Sequence, residues 1–549
     1  MTKRQICGPN TVKALNSTRR EALCLLGVAG LATELAPGTS EAAIQKTAAM
    51  SLWPKGVEGQ RRADLGATYL NPIVAGDRPD PSILRMGRDY YMVFSTFEAY
   101  PGLLIWHSRD LVNWIPRKAA LSKNIGSVWA PCLCKHNERF YIYVTTNKRV
   151  DSVSIMRNWV MWAEHIDGPW SEPIDLGVPK NIDPEHAVGE DGSRWLFLSG
   201  GDRVRLADDG LSCVGQPEHV YNTWHYPDEW LVEGPSLEGP KIIRRNGYFH
   251  LLWANGGTAG PATGHMVIAA RSRSINGPWE QHPRNPLVHT ASPAEPWWSR
   301  GHATMIEGPA GDWWGVYHAY EKDYHTLGRQ TLLAPVDWAA DGWPEFGGGD
   351  LSRPIPKPRG GEPGPHGMAF SDDFSTDKYG TQWFFFQPSE NERLRLSRWH
   401  GWMTLQAAGT SPANSSPLLF TTGDRAYEME CELDIGPEAR GGLLLFYDHR
   451  LYCGLTLQEG QIQTHKYGED RNKWDNSFGR HVFLRLRQEA HVVSFHLSSD
   501  GRNWIHHCEN FEVSGYHHNT RGGFLALRPG LYAAGNGLVR FRDFRYRAL

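Results

Sequence analysis

The feature that most constrains the fold is a short segment that recurs five times along the first part of the chain. Each copy has a head residue, a brief apolar run, a turn and then an aromatic strand. Three heads are acids followed directly by Pro or Gly-Pro: Asp80, Asp183 and Glu238. The other two copies begin at Trp129 and at His302. A repeat this regular indicates an architecture, and three acids at matching places indicate chemistry.

The spacing of the copies predicts a β-propeller. Heads at positions 80, 130, 183, 238 and 302 are separated by 50, 53, 55 and 64 residues. Units of this length that contain several short strands are typical of propeller blades. The strands are rich in aromatic and β-branched residues and are bounded by Gly, Asp, Asn and Pro. We therefore predict an all-β fold whose first domain has five blades around a central channel.

A propeller brings distant heads together, because the first strand of every blade lines the same axis. Asp80, Asp183, Glu238 and His302 should therefore surround one funnel suited to acid–base chemistry. An Asp before Pro is also a common turn former, so any single head could be purely structural. A residue that only forms a turn need not be an acid at the same position of each repeat, however. Three acids at equivalent positions therefore favour a functional site.

These segments resemble glycoside hydrolase family 43. The similarity runs over residues 68–350 and touches every blade in order; it is carried by NPIVAGDRPDPSIL, STFEAYPGLLIWHSRDLVNW, GSVWAPCL, NIDPEH, EGPKIIRRNGYFHLL, SRGHATMIE and LGRQTLLAPVDW. The resemblance implies a five-bladed propeller that hydrolyses glycosides with inversion, with no required cofactor. The histidine motif, usually GHG, is GHA here.

The resemblance also implies roles for individual residues. Asp80 matches the general base, Glu238 the general acid, and Asp183 the third acid that orients the general acid and tunes its pKa. Arg329 matches an arginine that contacts the sugar. His302 matches an axial histidine that in several members lies beside a water or a calcium ion in the channel, so calcium is the one metal to consider there.

The chemistry supports such roles independently of the resemblance. An inverting glycosidase needs a protonated acid for the leaving oxygen and an opposed carboxylate that activates water, about 6.5–9.5 Å apart. A third acid nearby raises the pKa of the general acid by like-charge repulsion. The motif EGP occurs twice, at Glu233 and Glu238. Glu238 is preferred because it lies ten residues before Tyr248, as Asp80 lies ten before Tyr90.

Aromatic side chains should form the platform for the sugar, since a sugar ring stacks on their faces. The candidates near blade heads are Phe97, Tyr100, Trp106 and Trp129; most of the 23 Trp residues should be blade core. The segment FEAYPGLLIWHS is most similar to the β-xylosidase branch of the family. The expected substrates are therefore short β-xylosides, with α-L-arabinofuranosides second and exo action favoured.

The two ends of the chain predict different things. Residues 1–45 contain STRR followed by the apolar run ALCLLGVAGLA, which indicates a twin-arginine export signal and a periplasmic or extracellular enzyme. The run is too short for a membrane anchor; a disordered cytoplasmic tail is the alternative. A Pro- and Gly-rich linker occupies residues 351–367. Alternating strands across 368–549 predict an antiparallel β-sandwich.

The sandwich resembles the concanavalin-like domain of many family 43 β-xylosidases. In those enzymes a loop from the sandwich can reach the mouth of the pocket and narrow it, which favours exo cleavage. The sequence does not identify that loop here, and an independent carbohydrate-binding role is the alternative.

Composition excludes several functions. The net charge of −3 and the lack of a basic patch argue against nucleic-acid binding, and no Gly-rich phosphate loop lies between a strand and a helix. The eight cysteines lack the spacing of a zinc site, so we expect buried free thiols, with a disulfide among Cys431, Cys453 and Cys508 as the alternative after export. The expected partner is a saccharide, with no nucleic acid and no membrane; the oligomeric state stays open.

Two alternative functions remain: a retaining propeller glycosidase of the fructan- or sucrose-cleaving kind, and a sugar-binding propeller without catalysis.

Overall fold

A computed structural model describes residues 52–151 and 153–549, and its first domain is a five-bladed propeller. Each blade is an antiparallel sheet of four strands, with a fifth short strand in blade four. Blade one consists of Ser82–Met86, Asp89–Val93, Gly102–Ser108 and Ile115–Leu121, and blade two of Ser127–His136, Arg139–Val150, Val153–Ala163 and Ile174–Asp175. Blade three consists of Glu185–Val188, Arg194–Leu198, Asp202–Leu206 and Cys213–His219, and blade four of Leu237–Arg245, Tyr248–Asn255, Met266–Ser272, Glu280–Gln281 and Val288–His289. Blade five consists of Trp297–Glu307, Trp313–Glu321, Arg329–Trp338 and Pro344–Phe346.

The first strands of the blades form a closed ring. Each contacts the first strands of its two neighbours, and the ring closes between blade five and blade one. The segment ahead of blade one lies on blade five, where Asn71 Nδ2 donates to the carbonyl of Leu333 at 3.0 Å. Thr68–Tyr69 also pairs with Ile355–Pro356 after blade five. This arrangement confirms the predicted fold and places all five heads around one axis.

The second domain is a sandwich of two antiparallel sheets. One sheet has eight strands, in the order Glu469–Asp475, Gln461–Lys466, Leu451–Gln458, Ala439–Asp448, Arg528–Gly535, Leu418–Leu419, Phe384–Phe386 and Ala99–Tyr100. The other has seven, in the order Leu396–Trp399, Trp402–Gln406, Leu538–Ala548, Tyr427–Ile435, His481–Glu489, Val492–Ser498 and Ile505–Glu512. Large apolar side chains such as Phe446, Leu484 and Phe541 fill the space between the sheets with no exposed surface.

The two domains share structure across their interface. Ala99–Tyr100 belongs to blade one by sequence, yet it forms the edge of the eight-stranded sheet by pairing with Phe384–Phe386. Glu321, only 3% exposed, accepts from Arg61 Nη2 at 3.0 Å and from Arg425 Nε at 2.8 Å. The Pro- and Gly-rich segment is attached as well, since Gly367 N donates to Trp114 O at 2.8 Å. The sandwich is therefore held firmly against the propeller.

Few helical turns interrupt the strands. The single α-helix of the described residues is His518–Arg521, and short 3-10 turns occur at Val57–Gly59, Ser199–Gly201, His325–Leu327, Glu392–Arg395 and Pro412–Asn414. Across residues 52–151 and 153–549, no helix has the length and apolarity needed to cross a bilayer. The six cysteines of this part of the chain are free. The predicted export signal at residues 1–45 lies outside the described residues.

Candidate active site

The blade heads open into one pocket of about 400 Å³ on the propeller axis. Its lining contains seven of the nine side chains proposed from the sequence, namely Asp80, Asp183, Glu238, Arg329, Trp129, Phe97 and His302. Four further residues complete the wall: Ala130, Ile182, Thr258 and Phe524. Blades one to five each contribute, and the sandwich contributes Phe524.

The head residues share an uncommon backbone conformation. Asp80, Asp183 and His302 have φ angles of 56°, 59° and 53°, in the left-handed region that few residues other than Gly adopt. In blade four the left-handed residue is Gly239, with a φ of 56°, and Glu238 precedes it. The three acids are therefore not strictly equivalent, as the repeat had suggested: Glu238 is one position out of phase with Asp80 and Asp183.

Gly239 is fixed by its surroundings as well as by its backbone. A Cβ at this position would lie 2.8 Å from Cε1 of the His302 ring, which is too close for any side chain. The ladder of blade four also shifts register between Glu238 and Lys241, as strands do at a bulge. This local irregularity re-aims the Glu238 side chain relative to the other two acids.

Asp80 is surrounded by donors. It is 6% exposed; Ser95 Oγ donates to its Oδ2 at 2.5 Å, and Arg329 Nη1 donates to its Oδ1 at 3.1 Å. Its backbone N–H donates to Nδ1 of His318 at 3.1 Å. Burial is the largest single influence and would raise the pKa of Asp80, but Arg329, His302 and His318 together outweigh it and hold that pKa well below its usual value. Asp80 is therefore an anion at neutral pH and suits a proton acceptor.

Glu238 and Asp183 have the opposite electrostatics. Burial is the main cause of a raised pKa in both. The negative charge of Asp80 adds to it and brings the pKa of Glu238 to about 7, while Glu238 in turn raises the pKa of Asp183 well above its usual value. Ser236 Oγ donates to Glu238 Oε2 at 3.1 Å. The pair therefore keeps a proton near neutral pH, which suits a proton donor.

Asp183 also positions the strand that carries Glu238. Its Oδ2 accepts from the backbone N–H of Gly239 at 2.9 Å, and its own N–H donates to Thr145 Oγ1 at 3.0 Å. The carboxyl group is thus bonded to the residue directly after Glu238. This contact supports the predicted orienting role.

Arg329 joins the base to both aromatic walls. Its guanidinium carbon lies 5.6 Å from the ring centre of Phe97 and 5.3 Å from that of Phe524, both within cation–π range. Nη1 also donates to Thr258 Oγ1 at 3.3 Å. The side chain is 3% exposed, so it is held as a fixed positive charge beside Asp80.

His302 lies at the floor of the pocket beside Asp80, with 3.3 Å between His302 Nδ1 and Asp80 Oδ1. Burial lowers the pKa of His302 well below its usual value, so the ring is neutral. Its Nε2 has no hydrogen-bond partner among the described residues. Calcium takes six to eight oxygen ligands, and the described side chains offer no group of three or more His, Cys, Asp or Glu that could hold a metal ion. The residues therefore do not fit calcium, and no step of the mechanism uses one.

The structure places only some of the predicted sugar-platform aromatic residues in the pocket. Phe97 and Trp129 line the pocket. Trp106 does not: it is 4% exposed and packs in the core of the propeller, with Arg78 5.4 Å from its ring centre. Its proposed place in the sugar site is therefore corrected. Tyr100 is fully buried, with its hydroxyl bonded to the Gly126 carbonyl.

Glu233 is separated from the pocket lining. Its Oε2 accepts from the backbone N–H of Ala259 at 3.2 Å, next to Thr258, and the side chain is otherwise exposed. The geometry thus places Glu238, rather than Glu233, in the pocket, in line with the strand-spacing argument.

Two residues of the pocket lining, Phe524 and Thr258, were not predicted from the sequence. Phe524 follows the short helix His518–Arg521 of the sandwich, and Asn519 Oδ1 there accepts from Gly260 N of the propeller at 3.0 Å. Thr258 lies in a Gly-rich loop, where its Oγ1 is 2.8 Å from Nε2 of the buried His318. Neither residue belongs to the repeat, so no sequence signal marked it.

Comparison with known families agrees with this site. The model described as "Glycosyl hydrolases family 43" matches residues 69–344. The model described as "Beta xylosidase C-terminal Concanavalin A-like domain" matches residues 371–547. The two matches cover the propeller and the sandwich in turn.

Individual relatives match over nearly their whole length. A non-reducing end alpha-L-arabinofuranosidase of Bacteroides ovatus is 31% identical over 504 residues, covering 86% of this chain and 92% of that protein. A putative beta-xylosidase of Escherichia coli K12 is 29% identical over 87% of this chain and 98% of its own. The crystal structure of a xylan beta-1,4-xylosidase from Bacillus halodurans superposes with a TM-score of 0.78 at 27% identity, over 87% of this chain and 99% of that one.

Proposed function

The chain belongs to glycosyl hydrolase family 43 and is a glycosidase, and from this premise we propose that it removes D-xylose from the non-reducing end of short β-xylosides with inversion. The observation that carries the proposal is the pair of carboxyl groups with opposite protonation in one pocket. Asp80 is an anion beside Arg329, whereas Glu238 has a pKa of about 7. A base and an acid of this kind are the two groups that glycoside hydrolysis requires.

The mechanism follows from those two states. Asp80 accepts a proton from a water molecule, and the water oxygen attacks the anomeric carbon. The bond from that carbon to the glycosidic oxygen breaks, and Glu238 transfers its proton to the departing oxygen. The sugar leaves with inverted configuration; Asp80 then releases its proton to solvent, and Glu238 regains one from solvent.

Neighbouring residues prepare both groups. Arg329 keeps Asp80 ionised, and it presents a guanidinium edge to sugar hydroxyls. Asp183 fixes the backbone after Glu238 through Gly239, and its protonation is linked to that of Glu238. Phe97, Trp129 and Phe524 supply apolar walls for the sugar ring.

A pocket that is walled on one side by a residue of the sandwich suits one terminal sugar, which supports exo action. Relatives named for β-xylosidase and for α-L-arabinofuranosidase activity support both pentoses as glycones. We therefore propose α-L-arabinofuranosides as the second substrate, cleaved in the same pocket.

The test is hydrolysis of xylobiose followed by proton NMR from the first seconds. Inversion predicts that α-xylose appears first from the non-reducing unit and then mutarotates. An initial excess of β-xylose over the amount that the reducing unit contributes at its anomeric equilibrium would overturn inversion and favour a nucleophilic carboxylate. The absence of turnover on xylobiose, on an aryl β-D-xylopyranoside and on an aryl α-L-arabinofuranoside would overturn the proposed glycone.

We further propose export of the folded enzyme by the twin-arginine signal in residues 1–45. Fusion of residues 1–45 to a reporter should direct it out of the cytoplasm. Arg19→Lys together with Arg20→Lys should block that transfer, and unchanged export would contradict this route.

A further inference from the structure

A second cavity lies between the propeller and the sandwich. It measures about 680 Å³ including the solvent at its mouth, and it is bounded by blade one on one side and by residues 368–384 with Arg528 on the other. Phe97 is its one shared wall residue with the active-site pocket. It is therefore a separate space directly behind that pocket.

The cavity has an open side. Pro101, Gly380, Thr381 and Phe384 line it and are partly exposed. Gly380 lies directly against blade one here, since a Cβ on it would be 3.2 Å from Pro101 Cγ. The partly exposed residues beside this contact mark the side from which a small molecule would enter.

The walls combine apolar surface with unsatisfied polar atoms. Phe94, Trp106 and Phe370 supply aromatic surface. Gln382 is 2% exposed; its amide nitrogen donates to Phe370 O, but its Oε1 has no partner among the described residues. Arg528 is 3% exposed, and its Nε–H is likewise unpartnered.

Each of these atoms is costly to leave unsatisfied, since a lone buried polar group loses its bonds to water. Gln382 Oε1 is an acceptor, and the Nε–H of Arg528 is a donor. A hydroxyl group can satisfy both kinds, because it donates and accepts. Aromatic surface with a few polar atoms is what small-ligand sites have in general.

Charge also restricts the occupant. Asp77 and Arg78 lie on the propeller wall, and Arg528 lies on the sandwich wall. Arg78 Nη1 donates to the Asp77 carbonyl at 2.7 Å, and its Nε is unpartnered. The carboxyl groups of Glu98 and Asp77 both act electrostatically on Arg528. Two carboxyl groups therefore face the two guanidinium groups, and this balance favours a neutral molecule over an ion.

We propose that this interdomain cavity is a second binding site, for a neutral polyhydroxylated molecule of pentose size. The site does not depend on the reaction assigned to the active-site pocket. It is also placed to influence that pocket: Ser95, which lines the cavity, donates to Asp80 Oδ2 at 2.5 Å. Asp77 Oδ1 accepts from the backbone N–H of Arg329 at 3.2 Å.

The test uses the intact two-domain enzyme and xylitol, a neutral pentitol without an anomeric centre. Isothermal titration calorimetry should detect xylitol binding to the wild type, and the melting temperature should rise with its concentration. Gln382→Met keeps the side-chain volume but removes the amide, and Leu104→Phe fills the cavity from the propeller side. Both variants should lose this binding, while hydrolysis without xylitol stays at the wild-type rate.

Two controls separate the sites. Arg329→Met impairs the active-site pocket and should retain xylitol binding in the cavity; Gln216→Met makes the same exchange as Gln382→Met at an exposed position and should change nothing. Binding lost in Arg329→Met but kept in Leu104→Phe would overturn the proposal, because the ligand would then occupy the active site. Absence of any xylitol binding by the wild type would overturn it too, and either result would leave the proposed hydrolysis untouched.

Discussion

The two sides of the active-site pocket differ in what they do to a carboxyl group. On one side, Asp80 faces the fixed charge of Arg329, and its pKa lies well below the usual value. On the other side, Glu238 receives a single hydroxyl donor from Ser236 and faces the charge of Asp80, so its pKa rises to about 7. Both groups are carboxyls at the start of propeller blades, yet one is a base and the other is an acid.

The two protonation states are coupled through the charge of Asp80. Arg329 keeps Asp80 negative, and that negative charge is the largest electrostatic contribution, after burial, to the raised pKa of Glu238. The acid side therefore depends on the base side. Variants that alter Asp80 should disturb both functions, whereas variants that alter Glu238 should disturb only proton donation.

The largest effect is expected from Asp80→Asn, which removes the proton acceptor while keeping the size of the side chain. We expect kcat to fall by about 10²–10⁴-fold on xylobiose and on aryl β-xylosides alike. The reason is that water must be activated whatever the leaving group. Steady-state kinetics on both substrates, with melting temperature as the control for folding, checks this. A variant that still hydrolyses aryl xylosides at the wild-type rate would remove Asp80 from the role of base.

Glu238→Gln should have an effect that depends on the leaving group. On xylobiose the sugar oxygen needs a proton, so we expect kcat to fall by about 10²–10⁴-fold. On an aryl xyloside whose phenol leaves as an anion, the loss should be far smaller. The ratio of the two rates is the measurement, and Glu233→Gln is the matched control that should leave this ratio at the wild-type value. An equal loss on both substrates would contradict the assignment of Glu238 as the acid.

A smaller effect is expected from the two serines that donate to the carboxyl groups. In the wild type, kcat/KM should fall as the pH rises through about 7, because Glu238 must be protonated to act. A donor stabilises the charged form, so its removal raises the pKa of the carboxyl group. Ser236→Ala should therefore move the basic limb of the pH profile upward, and Ser95→Ala should move the acidic limb upward. If Ser95→Ala shifted the basic limb alone, the two sides would be assigned the wrong way round.

The base and acid sides also differ in how well the sequence predicted them. The period of the repeat identified the propeller, and a propeller necessarily brings Asp80, Asp183 and His302 to one axis. The repeat could not show that Glu238 stands one residue out of phase, because that depends on the left-handed backbone of Gly239. Trp106 was misplaced for a related reason: it follows a blade head in sequence, but its side chain faces the core of the propeller.

Residues outside the repeat were beyond the reach of this reasoning. Phe524 reaches the pocket only because the sandwich packs against the propeller, through the strand pairing of Ala99–Tyr100 with Phe384–Phe386 and the contact of Asn519 with Gly260. Such contacts between distant segments have no local signature. The sandwich itself was predictable from its alternating strands, whereas the residue that it contributes to the site was not.

The smallest effect is expected from Phe524→Ala, which removes an apolar wall of the pocket and one ring beside Arg329. Asp80 and Glu238 keep their contacts in this variant, so kcat should change little. The sugar loses a stacking surface, which is typically worth about 0.5–1.5 kcal/mol for an aromatic contact, so KM for xylobiose should rise severalfold. Trp399→Ala, at a 74% exposed position of the same domain, is the matched control and should leave KM unchanged. An unchanged KM in Phe524→Ala would mean that the sandwich only closes the pocket sterically, and the site would then belong to the propeller alone.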